Sequence, residues 1–136
     1  MDTQTKDIIS VRLEKAKDDI KWARSNLEQG GYRQSINRAY YAVFAIATAA
    51  LLTLNVTRKK HSGVESAFHQ FLVKPGLIEP EYATIYRASF KEREDADYAD
   101  TTNFTQAQAH QVLADAEKFV ERVEKYLRQV GALEHK

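Results

Sequence analysis

The sequence predicts an all-α chain: an up-and-down bundle of four long helices plus one short helix. Three observations carry this. Glycine and proline are confined to Gly30-Gly31, Gly63, Pro75-Gly76, Pro80 and Gly131, and the segments between them repeat apolar residues at helical spacing. No segment alternates apolar and polar residues as a half-buried strand would. The connections are short, which makes successive helices antiparallel neighbours.

The first helix is expected from about Lys6 to Gln29. Ile9, Leu13, Ala16, Ile20, Ala23 and Leu27 recur by four and three, a heptad-like stripe. Gly30-Gly31 ends it, because glycine enters the left-handed conformation that follows a helix. The second helix is expected from about Tyr32 to Asn55. Ile36, Tyr40, Val43, Ala47, Ala50 and Leu54 form its main stripe, and Arg38, Ala42, Ala45 and Ala49 form the opposite face. A helix apolar or small on almost every side must be covered from two directions. In so short a chain one cover can be a second copy, so Arg38, Ala42, Ala45 and Ala49 are read as a homodimer interface.

Arg58-Lys59-Lys60-His61-Ser62-Gly63 reads as a basic connector. The short helix follows from about Val64 to Val73. Pro80 suits the first position of the next helix, with Glu79 and Glu81 favourable near its positive end. Tyr82, Ile85, Tyr86, Ser89 and Arg93 share a face of it. The acidic stretch Glu92 to Asp100 reads as its end and a loop. Thr105 and Gln108 have capping-box spacing and open the last helix, whose stripe is Ala109, Val112, Ala116, Phe119, Val123, Tyr126 and Val130.

The 136 residues fit one domain, residues 1–132, and Leu133-Glu134-His135 resembles a cloning remnant occupying 133–136. The formal charge is +1, from 20 basic and 19 acidic residues, so nucleic-acid binding would need a local patch rather than bulk attraction. There is no cysteine, which excludes disulfides and thiolate metal sites. Met1 to Ser10 is polar and mixed in charge, unlike a signal peptide. The run Ala39 to Leu54 is interrupted by threonines and falls short of a span of about 20 residues. A cytoplasmic protein without a membrane partner is expected.

Four pieces of sequence, in order, resemble the HEPN domains of bacteria and archaea. They are Ala23-Arg24-Ser25-Asn26-Leu27 before Gly30-Gly31-Tyr32, Ile36-Asn37-Arg38-Ala39-Tyr40-Tyr41-Ala42-Val43-Phe44, Lys60-His61-Ser62-Gly63-Val64, and Arg93-Glu94-Asp95-Ala96-Asp97-Tyr98. The resemblance covers about Asp7 to Arg128. It implies a helical bundle, a homodimer and a minimal nucleotidyltransferase partner in a toxin–antitoxin-like pair. Many such proteins are metal-independent ribonucleases, with an arginine followed after four to six residues by a histidine. Here Arg93 matches the arginine, and Tyr98 stands where the histidine is expected.

The candidate catalytic residues are therefore Arg93, Tyr98 and His61. A guanidinium can hold a phosphate by two parallel hydrogen bonds. The structural alternative for Arg93 is an ion pair with Glu94 or Asp97. Tyr98, with an ordinary phenol, is a poor base near neutrality, but it can stack on a base or accept a nucleotidyl group. His61 can supply the missing proton-transfer group if the fold brings it to Arg93; otherwise it is a surface histidine. Asn37, Arg38, Tyr41 and Lys60 are the candidate ligand-binding residues, or else structural hydrogen-bonding and solvated groups. No cofactor or metal is called for: Glu65 and His69 share one helix face, but paired Glu-x-x-His motifs are missing. Three functions stay open: a nucleotide- or RNA-binding module, a ribonuclease toxin, and a purely structural dimer.

Overall fold

The computed structural model describes residues 1–98 and 103–133, with side chains throughout except those of Asp97 and Tyr98. Five helices follow one another: α1 (Thr3–Glu28), α2 (Tyr32–Leu52), α3 (His61–Phe68), α4 (Pro80–Tyr98) and α5 (Gln106–Gln129). α3 runs on through His69–Val73 in the wider π pattern. The described residues contain no strand. The all-α bundle of four long helices and one short helix is therefore the observed fold.

The ends of the helices follow local chemistry. α1 starts at Thr3, three residues before the expected start, and Asp2 caps it, its carboxylate accepting from the Thr5 amide at 2.7 Å. Gly30 has φ +81°, the left-handed step that releases the chain from α1. The Thr105–Gln108 capping box is present in both directions. α3 begins at His61 rather than Val64, so Gly63 lies within its first turn and the basic connector ends at Lys60. α4 ends at Tyr98, within the acidic stretch, so Glu92 to Tyr98 is helix rather than loop; Ala99 and Asp100 lie outside the described residues. Acidic residues do not stop a helix; no glycine or proline lies between Pro80 and Tyr98.

α2 is the central helix, in contact with α1, α3, α4 and α5. Twelve of its residues are buried, including Ile36, Tyr40, Val43 and Leu51. It is long and apolar enough to cross a membrane, but 67% of its most apolar stretch is buried within the bundle. Where α3, α4 and α5 meet, the core holds an aromatic cluster. Phe119 of α5 lies 5.1 Å from Phe68 and 5.7 Å from Tyr86, centroid to centroid. Two exposed ion pairs, Arg122–Glu79 and Lys118–Glu81, tie the start of α4 to α5. Ala132 and Leu133 also pack into the core; residues 134–136 lie outside the described residues.

The small-residue face of α2 corrects an expectation. Ala42 and Ala49 are wholly buried and Ala45 is 5% exposed within a single chain. On the same face Ser35 Oγ donates to the Ala23 carbonyl at 2.8 Å, and Arg38 reaches Asp19 at 3.0 Å. Both partners belong to α1. The small residues let α1 of the same chain approach closely, so they offer no surface to a second copy.

Candidate functional site

His61, Tyr40, Tyr41 and Arg93 meet beside the middle of α2. Tyr40 is a core residue by position, fully buried at the stripe facing α4. A buried phenol needs a polar partner. It has one in His61: the Tyr40 hydroxyl and His61 Nδ1 share a hydrogen bond of 2.7 Å. Because α3 starts at His61, the imidazole is fixed by the first turn of a helix rather than carried on a mobile connector. Its ring also stacks on Phe44, with centroids 4.2 Å apart and planes 13° from parallel.

Arg93 comes from α4. Its guanidinium carbon lies 5.5 Å from the Tyr40 ring centroid and 5.6 Å from that of Tyr41. Its Nη2 also donates to the Tyr41 hydroxyl at 3.2 Å. Two tyrosine faces thus hold the cation, each such contact adding about 0.5–2 kcal/mol. Tyr40 touches both Arg93 and His61. The two groups that the sequence separates by a whole helix are brought together around one ring.

The electrostatics agree with that geometry. Burial pushes the His61 pKa below its ordinary value, and the nearby Arg93 charge pushes the same way. Neutral imidazole is therefore favoured near pH 7. When Nδ1–H donates to the Tyr40 oxygen, Nε2 keeps its lone pair, the tautomer a base requires. Burial also raises the Tyr40 pKa strongly, although Arg93 opposes it. Tyr40 stays a neutral phenol and is suited to orienting His61 rather than to exchanging protons itself. His61, Tyr41 and Arg93 are half-buried, so a ligand can reach them.

The other predicted residues divide. Asn37 is half-buried, one turn before Tyr41 on the same flank of α2. Lys60 is exposed beside His61 at the start of α3. Arg38 turns to α1, where it and Lys15 each meet Asp19 at 3.0 Å. It neutralises a carboxylate that is otherwise buried, which is a structural task. Tyr98 closes α4 in the backbone; its side chain lies outside the described residues. Sequence reasoning missed Tyr40 and Phe44 as parts of the site. Their signal was present: a tyrosine on a core stripe implies a buried hydroxyl that must be matched.

Comparison with known proteins agrees with this architecture. A family model described as HEPN domain matches residues 9–126. A Methanocaldococcus jannaschii protein named "Putative toxin MJ0605" is 38% identical over 122 residues, 90% of each chain. A Thermotoga maritima protein named "UPF0332 protein" is 30% identical over 120 residues, 88% of this chain and 91% of its own. In structure, the crystal structure of TT1696 from Thermus thermophilus superimposes with a TM-score of 0.76 at 20% identity. It covers 88% of this chain and 98% of that one, a likeness of fold. The bundle, the ordered motifs around Tyr40, His61 and Arg93, and the family match lead to one conclusion: this chain belongs to the HEPN domain family.

Proposed function

We propose that the chain is a toxin-like ribonuclease in which Arg93 binds the scissile phosphate and His61 carries the proton. The observation that supports this most is the shared Tyr40 ring, with Arg93 on its face and His61 on its hydroxyl. The toxin-named relative adds weight at the level of the family. In this reading His61 takes the proton from a ribose 2′-hydroxyl. The O2′–P bond forms as the P–O5′ bond breaks, and the proton passes to the leaving O5′. The products are a 2′,3′-cyclic phosphate and a 5′-hydroxyl. Arg93 offsets the charge gathering on the non-bridging oxygens. Tyr40 is a positioning residue: it fixes the imidazole and does not touch the reacting atoms.

A labelled RNA incubated in EDTA tests this, with wild type beside Arg93→Ala and His61→Ala. Wild type is expected to cut, and each variant to lose about 10²-fold or more. Wild type that leaves the RNA intact at high protein concentration sinks the nuclease reading.

One observation favours a second reading. Tyr98 occupies the place of the histidine in the family motif. On this reading the chain is a non-catalytic homodimeric module that binds RNA or nucleotide and works with a nucleotidyltransferase partner. It predicts RNA binding lost in Arg93→Ala without any cleavage by wild type. Light scattering of the purified chain checks the dimer.

A further inference from the structure

A second constellation lies on the other side of Phe44. A cavity of about 310 Å³ opens between α1, α2 and the segment that leads into α3. Its apolar wall includes Phe44, Leu51 and Val64. Its charged lining is Arg12, Lys15 and Arg58, with no acidic residue among the lining groups. Lys15 is paired with Asp19 at 3.0 Å, which leaves Arg12 and Arg58 as the lining cations without an ion pair among the described residues.

Arg12 is the most telling of the three. The residues four before and four after it are Ile8 and Ala16, so its own helix gives it no acid at that spacing. Lys15, one turn on, has the same sign. Among the described residues Arg12 makes no hydrogen bond and no ion pair, and it is half-buried. Burial lowers its pKa, the mark of a desolvated cation without a counter-charge. Asp19, two turns further along the same face of α1, already serves both Lys15 and Arg38. A guanidinium held this way suits a phosphate, which accepts two of its N–H groups at once. The space exceeds what one phosphate needs and reaches the lower range of small-molecule sites. Phe44 lines this cavity and also stacks on His61 at 4.2 Å, so one ring separates the two places.

We infer that this cavity is a second phosphate subsite, taking the phosphate of a nucleotide unit next to the one held by Arg93, with Arg12 as its main contact. The inference rests on the RNA-binding reading above for the identity of the strand, and not on cleavage.

The test uses a fluorescein-labelled, non-cleavable 2′-O-methyl RNA decamer and the full chain, read by anisotropy at several salt concentrations. Arg12→Gln is expected to weaken binding about tenfold and to reduce the salt slope by about one. Lys21→Gln, the same charge change at an exposed site off the cavity, is expected to stay within about twofold. Melting temperature guards against misfolding: Arg12→Gln removes an unpaired cation and should melt no lower than wild type. Arg12→Gln with wild-type affinity and slope overturns the inference, as does a wild type that binds neither decamer nor AMP nor inorganic phosphate. Millimolar AMP that raises the melting temperature of wild type but not of Arg12→Gln supports a pocket for single nucleotides. Decamer binding that depends on Arg12 without any AMP effect supports strand phosphate as the source. Failure of wild type to cut RNA ends the nuclease reading and leaves Arg12-dependent binding untouched.

Discussion

Along α2, the face carrying Ser35, Arg38, Ala42 and Ala49 lies against α1, whereas Tyr41 and Phe44 on another flank meet Arg93 and His61. Both regions contain polar groups deep in an apolar helix. On the α1 side every one is closed within the chain: Ser35 donates to Ala23, and Asp19 is matched by two cations. On the other side the polar groups are held by aromatic rings and remain within reach of solvent. Ion pairing completes the fold on the α1 side, while on the other flank two tyrosine rings help to hold the guanidinium in place. The first arrangement closes its charges inside the fold; the second places the Arg93 guanidinium against two aromatic rings, beside the His61 imidazole.

The largest effect should come from the closed face. Ala42→Glu places a carboxylate where no exposure exists, beside α1. An uncompensated buried charge costs about 3–5 kcal/mol, and urea melting should show it as loss of the folded state. If the variant instead keeps its stability and only its oligomeric mass falls, this face contacts a second copy after all. Asp19→Ala is a milder probe. It removes a carboxylate that is 2% exposed, but Lys15 and Arg38 are half-exposed and can turn to water. A loss of about 1–2 kcal/mol is expected. Arg38→Ala should cost less than Asp19→Ala, since Lys15 still meets the carboxylate.

Much of this contrast was legible in the sequence, and the missing parts have identifiable reasons. Periodicity located all five helices, and the Thr105–Gln108 spacing located the start of α5. The stripe Ile9, Leu13, Ala16, Ile20 and Ala23 is buried as expected. Periodicity finds an apolar face without saying what covers it. The alanines of α2 therefore suggest a homodimer interface from sequence, whereas in the fold they are buried within the single chain. Gly63 reads as a breaker, which hid the fact that His61 begins α3. Arg93 and His61 were both visible as chemistry, but their meeting depends on α4 crossing α2 beside Tyr40. Such a meeting is a tertiary fact with no local signal. Tyr40 was placed in the core stripe, and its second role followed only from where its hydroxyl went.

The open flank gives smaller effects on stability and larger ones on chemistry. Tyr40→Phe keeps the ring under Arg93 and removes only the hydroxyl bonded to His61. A loss near 1 kcal/mol in denaturant melting is expected. If Tyr40 positions His61 for catalysis, the cut RNA should show a fall in kcat with KM little changed. An equal fall in stability with unaltered kcat would reduce Tyr40 to a packing residue.

The smallest and most diagnostic effect is the titration of His61. Its folded pKa lies below the ordinary value of 6.5, first through burial and then through Arg93. Between the folded value and 6.5 the unfolded chain binds more protons than the folded one, so stability rises with pH across that window. The full contribution is present above pH 6.5 and is lost as pH falls towards the folded pKa. Arg93→Ala removes the positive neighbour and admits water, and both changes move the pKa up towards 6.5. Proton–nitrogen NMR of the imidazole should record that rise, and the acid side of the stability curve should flatten with it. Cleavage in wild type should likewise hold down to a pH below 6.5 before the base is protonated. A His61 that titrates identically with and without Arg93 would mean that the guanidinium and the imidazole do not sense each other, and the flank would lose the coupling on which its chemistry depends.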